Sequence, residues 1–245
     1  MKPAKQGREI VISRRRLLQA SAATGVLACM GVEFASLAYA DALSQAERDA
    51  MSPDQVIAFL KAGNTRFRSG HRQNRHLLRE LRASAAGQYP AAAILSCIDS
   101  RAPAEIILDL GIGDSFNARV AGNVENDDIL GSLEFACAAA GAKVVLVMGH
   151  TSCGAVKGAI DHVELGHLTG LLAKLRPAVD ATEYTGGRTA KNYGFVDAVA
   201  KKNVALTVES IRKRSQVLRD LESKGSIKIV GSMYDLSTAA VDFYV

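Results

Sequence analysis

Lys143-Val144-Val145-Leu146-Val147-Met148-Gly149 is an unbroken apolar run rich in β-branched residues. With no polar alternation, it reads as a strand buried on both faces, as in a parallel sheet covered by helices. Upstream, Ile129 to Ala140 reads as a small-residue helix ending at Gly141. Ser115 to Ala121 and Ala91 to Cys97 read as two further strands. Downstream, helical patterns fall at about 154–161, 168–179 and 190–214, and a last pair of strands at Ile227–Met233 and Ala239–Tyr244. Strands alternating with helices predict an α/β fold, with a mainly parallel central β-sheet flanked by helices. Nearer the start, Ser52-Pro53-Asp54 opens a helix carrying Val56, Ile57, Phe59 and Leu60, expected to end near Gly63. Residues 64–82, rich in Arg and His, are expected as a surface arm and helix. The chain thus divides into a leader (1–40), an N-terminal helical arm (41–90) and an α/β domain (91–245).

The leader explains most of the charge. Of a formal net +5, residues 1–40 carry +4, from Lys2, Lys5, Arg8, Arg14, Arg15 and Arg16 against Glu9 and Glu33. The rest is nearly neutral, which removes any charge argument for nucleic-acid binding. Leu17 to Val32 is uncharged but shorter than the ~20 residues a membrane span needs. Ser13-Arg14-Arg15-Arg16-Leu17-Leu18 resembles a twin-arginine signal, and Ala38-Tyr39-Ala40 is an A-x-A cleavage site. Export of a folded protein to a bacterial periplasm or beyond is expected, with cleavage after Ala40. An uncleaved N-terminal anchor is the other reading. Removing the leader takes Cys29 and leaves Cys97, Cys137 and Cys153, an odd number that argues against a simple disulfide framework.

In parallel sheets, ligands gather at the carboxyl ends of strands. Cys97 and His150 fall at two such ends, and His150-Thr151-Ser152-Cys153 places an imidazole and a thiolate three residues apart. Two thiolates and one imidazole suit Zn2+, and three protein ligands leave the fourth position open, as catalytic zinc requires. Taken alone, H-x-x-C also describes a packed Cys after a strand. Cys97-Ile98-Asp99-Ser100-Arg101 adds a carboxylate and a guanidinium two residues apart. Asp99 would either take the metal's open position or accept a hydrogen bond from bound water, with Arg101 deciding between them. By itself this pair also reads as a surface ion pair in a turn.

C-x-D-S-R at 97–101 followed 53 residues on by H-x-x-C-G at 150–154 resembles the β-class carbonic anhydrases. So do Pro103-Ala104-Glu105, Gly113-Asp114-Ser115-Phe116, Arg119 with Gly122-Asn123, Ser132-Leu133-Glu134-Phe135-Ala136 and Tyr234-Asp235-Leu236-Ser237-Thr238. The resemblance covers about residues 54–245. It implies one zinc per chain held by Cys97, His150 and Cys153, with Asp99 and Arg101 as the catalytic dyad. It makes Gln88 and the Gly154 N–H donors to bicarbonate, and Phe116, Ala121 and Phe135 the wall of a CO2 pocket. Gln88 points to the constitutively open subclass; the other subclass has Trp there, and this chain has no Trp. A homodimer or homotetramer with its site at a subunit interface is implied. The implied reaction is reversible hydration of CO2 to bicarbonate and a proton, a lyase activity. The alternatives are a related zinc hydrolase of COS or CS2, or a non-catalytic zinc or bicarbonate-binding protein. A redox protein finds no C-x-x-C to support it.

Overall fold

Five strands lie in the order β2-β1-β3-β4-β5 in the computed structural model, which describes residues 39–244. The strands are β1 (Ala92–Ser96), β2 (Ser115–Arg119), β3 (Val144–His150), β4 (Lys228–Tyr234) and β5 (Val241–Tyr244). The first four are parallel; only β5 runs antiparallel, beside β4. The sheet is therefore mainly parallel, as the sequence predicts. The twin-arginine stretch lies outside the described residues.

Before the sheet come α1 (Gln45–Ala50), α2 (Pro53–Arg68) and α3 (Leu77–Ser84). Between β1 and β3 lie α4 (Ala104–Ile107) and α5 (Asp127–Glu134). After β3 come α6 (Gly154–Ile160), α7 (Gly166–Ala173), α8 (Arg176–Ala181), α9 (Tyr193–Arg214) and α10 (Gln216–Ser223). Among the described residues, no helix is long and apolar enough to cross a membrane.

Strand alternation divides the core. Leu146 and Met148 face one way, into a cluster with Ile94, Val230 and, from α2, Val56 and Leu60. Val145 and Val147 face the other way, against Leu133, Val204, Val208, Ile211 and Leu218. Every residue of β1 and β3 is buried, so both faces of the central strands are covered. Each fully buried Leu, Ile or Val contributes about 1.5–3 kcal/mol of burial free energy.

Helix α2 does not stop at Gly63. Its Ser52 and Gln55 side chains form a capping box, and it runs on to Arg68. Gly63 is there for close approach: a Cβ would lie 1.9 Å from the Leu108 carbonyl oxygen. The next residue, Asn64, is buried and stitches three elements. Its Nδ2 donates to the carbonyls of Ile107 (3.2 Å) and Ala239 (3.0 Å), and its Oδ1 accepts from Val241 N (3.0 Å).

The arginine-rich arm is held from below by buried carboxylates. Asp109, fully buried, accepts from Arg66 Nε (2.6 Å), Arg72 Nε (3.3 Å) and Gln73 N (3.1 Å). Glu80, also fully buried, accepts from Arg75 Nη1 (3.1 Å) and Ile112 N (2.9 Å). Beside Arg79 and Arg82, α3 exposes three leucines: Leu77, Leu78 and Leu81 are each more than half exposed.

The helix expected over 129–140 is interrupted. Helix α5 starts at Asp127, capped by Asn126, and gives way at Phe135 to a π-helical turn, Phe135–Ala139. Such widened turns accommodate one extra residue and recur at functional positions. Phe135 stands at the junction and is 56% exposed.

Candidate metal centre

Strand β1 ends at Ser96 and hands Cys97 to the carboxyl edge of the sheet, where β3, its immediate neighbour, ends on His150. Three residues later Cys153 caps α6. The ligand atoms of Cys97, His150 and Cys153 all lie within 4.8 Å of one another. All three side chains are at least 96% buried, and both cysteines are free thiols.

The geometry fits a zinc ion. The two sulfurs are 4.0 Å apart, far beyond a disulfide bond. Zn–S bonds of about 2.3 Å in a tetrahedron put two sulfurs about 3.8 Å apart. His150 Nδ1 is 2.9 Å from the Thr151 carbonyl, which can only accept, so Nδ1 carries the proton. That leaves Nε2 with a bare lone pair, buried and without a hydrogen-bond partner. An orphaned buried acceptor beside two thiols is what a metal ligand looks like without its ion.

The electrostatics favour a thiolate in the cluster. The hydrogen bond between the two sulfurs lowers the Cys97 thiol far below its usual range and raises that of Cys153. The proximity of the two sulfurs thus favours loss of one proton from the pair. Burial disfavours a charged His150, but the Cys97 sulfur and the Asp99 carboxylate outweigh it and raise the net value. By contrast Cys137 sits alone in the core, where burial pushes its thiol up to about 12; it has no part in the centre.

Asp99 and Arg101 lie at its edge. Asp99 Oδ1 accepts from Arg101 N (2.9 Å) and Nε (3.0 Å), and Oδ2 from Arg101 Nη2 (2.8 Å). The fork holds Asp99 well below the ordinary carboxylate range. Asp99 Oδ2 is also 3.9 Å from His150 Nε2, so this carboxylate faces the metal position while gripped by the arginine.

Neighbouring elements brace the loop. Arg119, at the end of β2, donates from Nε to the Cys97 carbonyl (2.9 Å) and from Nη2 to the Asp99 carbonyl (2.7 Å). Gly122 N donates to Cys97 Sγ (3.3 Å). Gly122 has φ 70, and a Cβ there would come within 2.8 Å of Leu175, so the position requires glycine on both counts. In the sequence Arg119 and Gly122 stand out only as parts of a signature, with nothing to reveal these contacts.

A cavity of about 260 Å³ opens beside Cys97, with Asp99, Ala121, Gly154, Leu168 and Leu172 in its wall. Nothing would meet a Cβ on Gly154 within 4 Å, so its backbone faces open space. The other expected substrate residues are not in this wall. Gln88 lines a separate shallow cavity with Ser84, Ile112 and Gly113. Phe116 and Phe135 pack edge to face, ring centres 5.9 Å apart, in a third and larger groove of about 820 Å³. That groove is the larger, yet no thiol or imidazole lines it, and the chemistry lies in the smaller cavity. The structure thus gathers Cys97, Asp99, Arg101, Ala121, His150, Cys153 and Gly154, and leaves Gln88, Phe116 and Phe135 outside.

A family model described as "Carbonic anhydrase" matches residues 92–241. Carbonic anhydrase 2 of Mycobacterium tuberculosis is 38% identical over 183 residues, covering 72% of this chain and 86% of its own. A carbonic anhydrase of Mycolicibacterium smegmatis is 34% identical over 185 residues, covering 75% of this chain and 89% of its own. Among solved structures, the β-carbonic anhydrase CafA of Aspergillus fumigatus superposes with a TM-score of 0.59 at 27% identity, covering 78% of this chain and 89% of that one.

Proposed function

Because this chain belongs to the β-class carbonic anhydrase family, we propose a residue-level account of how it hydrates CO2 reversibly to bicarbonate and a proton as a zinc-dependent carbonate dehydratase. Cys97, His150 and Cys153 hold the zinc. The observation that carries this is the convergence of their ligand atoms within 4.8 Å, with His150 Nε2 buried and unpartnered. Zinc held there would supply Lewis acidity, making an oxygen nucleophile available near neutral pH.

The chain's own groups do the rest. Arg101 keeps Asp99 ionised, so the carboxylate acts as acceptor and orients the oxygen nucleophile towards CO2. Ala121 and the leucines of the same cavity give CO2 an apolar, water-poor wall. The Gly154 N–H, together with the Gln88 amide of a second copy, donates to the carboxylate oxygens as charge develops on them. The product proton passes to solvent. In this reading the chain belongs to the open subclass marked by Gln88, with Asp99 off the metal near neutral pH. The three hydrogen bonds from Arg101 to Asp99 and the absence of any Trp in the sequence support this.

A second copy completes the site. In this reading Gln88, Phe116 and Phe135 serve the zinc of the partner, in a homodimer or homotetramer. Support comes from their separation from Cys97 within one chain, the exposure of Phe135, and the bare Leu77, Leu78 and Leu81 on α3. Strand β2 is moreover an uncovered parallel edge beside that groove.

Export is the remaining part of the reading. The twin-arginine-like stretch at 13–18 and the A-x-A site at 38–40 support passage through the export machinery to the periplasm, with cleavage after Ala40. A mature N-terminus at Asp41, read by mass spectrometry of protein from the native cell, is expected; an intact leader on the exported protein would overturn it.

Stopped-flow CO2 hydration on zinc-analysed protein tests the core of the account. Wild type should turn over rapidly with about one zinc per chain, and Cys153→Ser should lose both. X-ray absorption on the same sample near neutral pH should find no carboxylate on the metal. Full zinc occupancy without hydration would refute the activity, and Asp99 bound to zinc would refute the open subclass.

A further inference from the structure

Between the two metal ligands that share a loop, His150 and Cys153, the chain turns back through Ser152 in the left-handed region, with φ 56. Non-glycine residues rarely adopt that conformation unless the surroundings hold them in it. Here a neighbouring helix supplies the holder. The Ser152 N–H donates to Asp197 Oδ1 at 2.7 Å, a charge-assisted bond reaching from a different element. Asp197 stands in the second turn of α9, between Val196 and Val199, which are fully buried. Those valines share a packed cluster with Cys97 and Cys153, so the carboxylate projects from a rigid platform joined to the ligands themselves. The neighbouring residue is pinned from the opposite side. Thr151 N donates to the Tyr234 carbonyl (2.9 Å), and Thr151 Oγ1 accepts from Leu236 N (3.0 Å).

We propose that Asp197 is a positioning residue for the zinc: by holding the Ser152 N–H it fixes the left-handed turn that aims His150 and Cys153 at one point. Without it the turn loses its only contact with α9 through Ser152 N, and Cys153 is free to drift from the Cys97–His150 pair. Asp197 touches neither metal nor substrate, so its loss weakens zinc binding rather than the chemical step.

The proposal rests on the assignment of Cys97, His150 and Cys153 as zinc ligands, and the test keeps the two apart. Zinc affinity is measured by competition with a chromophoric chelator on full-length mature wild type, Asp197→Ala and Asp197→Asn. The same proteins are loaded with cobalt to record the thiolate-to-cobalt charge-transfer bands. Alanine suits an interior helix position, so Asp197→Ala is compatible with α9. Its zinc affinity should fall about 10–100-fold, the usual effect of losing an outer-shell partner, with shifted cobalt bands. Asp197→Asn keeps an oxygen acceptor and should stay within a few-fold of wild type by the same reasoning. Wild-type affinity and cobalt spectrum in Asp197→Ala would overturn the proposal. So would a loss confined to the melting temperature of the metal-free protein. Should Asp197→Ala not fold, Asp197→Leu, close in size and without an acceptor, takes its place: weakened zinc binding with shifted bands supports the proposal, and wild-type affinity and spectrum overturn it. A wild type that takes up no zinc would overturn the ligand assignment itself, and the proposal with it.

Discussion

Arg101 spends its backbone N–H, its Nε and its Nη2 on one carboxylate, although its own side chain is 58% exposed. An exposed ion pair of this kind contributes little to stability. Its value is in holding Asp99 ionised and in one orientation beside the metal position. Asp99→Asn is therefore expected to leave zinc content unchanged and to lower kcat by about 100-fold or more, as loss of a general base does. Unchanged kcat by stopped flow would remove Asp99 from the chemistry. At this scale the sequence is informative where residues cluster along the chain. Cys97, Asp99 and Arg101 sit within one loop, and His150, Cys153 and Gly154 within another, each following a strand whose apolar run is plain to read. Asp197 and Arg119 are not legible in this way. Their roles depend on bonds to backbone atoms far along the chain, and no local spacing marks an Asp on a helix as the partner of a distant N–H.

Helix α10 shows how elements are tied together around the sheet. Glu222, in its last turn, takes both fork nitrogens of Arg212 on α9 (2.8 and 2.9 Å) and also the Ile229 N–H of β4 (3.1 Å). Burial would raise the Glu222 carboxyl, but the Arg212 fork and the Ile229 N–H outweigh it, and the net direction is down. A depressed native value means the unfolded chain binds the proton more tightly. The stabilisation is then fully present above the unfolded value of about 4.3 and is lost as pH falls through the lower native value. The gap in urea midpoint between wild type and Glu222→Gln should be constant from pH 8 to about pH 5.5 and should narrow only in more acid solution; a gap that widens with acid would contradict this. The long elements were readable because their periodicity is sustained: β1, β3, β4 and α9 fall close to where the apolar runs place them. Short helices such as α1, α4 and α10 give too few turns to register a period. Gly63 misleads for a different reason, since a glycine selected for contact with the Leu108 carbonyl looks the same as one that ends a helix. The π-helical turn at Phe135 has no composition signal at all.

Residues 39–244 pack as one unit, with the arm stitched in by Asp109, Glu80 and Asp114 rather than lying loosely on the surface. Asp109 and Asp114 are invisible in a reading that sees only a basic stretch, because the arm residues they hold lie more than thirty positions away. The same reading cannot tell which expected site residues serve their own chain. Gln88, Phe116 and Phe135 lie away from the thiols, so the proposed site is complete only when two copies meet. The direct measurement is CO2 hydration by mixed assemblies of two defective chains, co-expressed with different tags and isolated. Cys97→Ser removes the metal but keeps Gln88, Phe116 and Phe135. Gln88→Leu keeps the metal but lacks the amide. If each site takes zinc from one copy and Gln88 from the other, every mixed dimer contains one intact site, and activity should return to about half of wild type. If the mixture shows no more activity than its two parents, the site does not draw on both copies, and the two-copy account of this carbonic anhydrase is wrong.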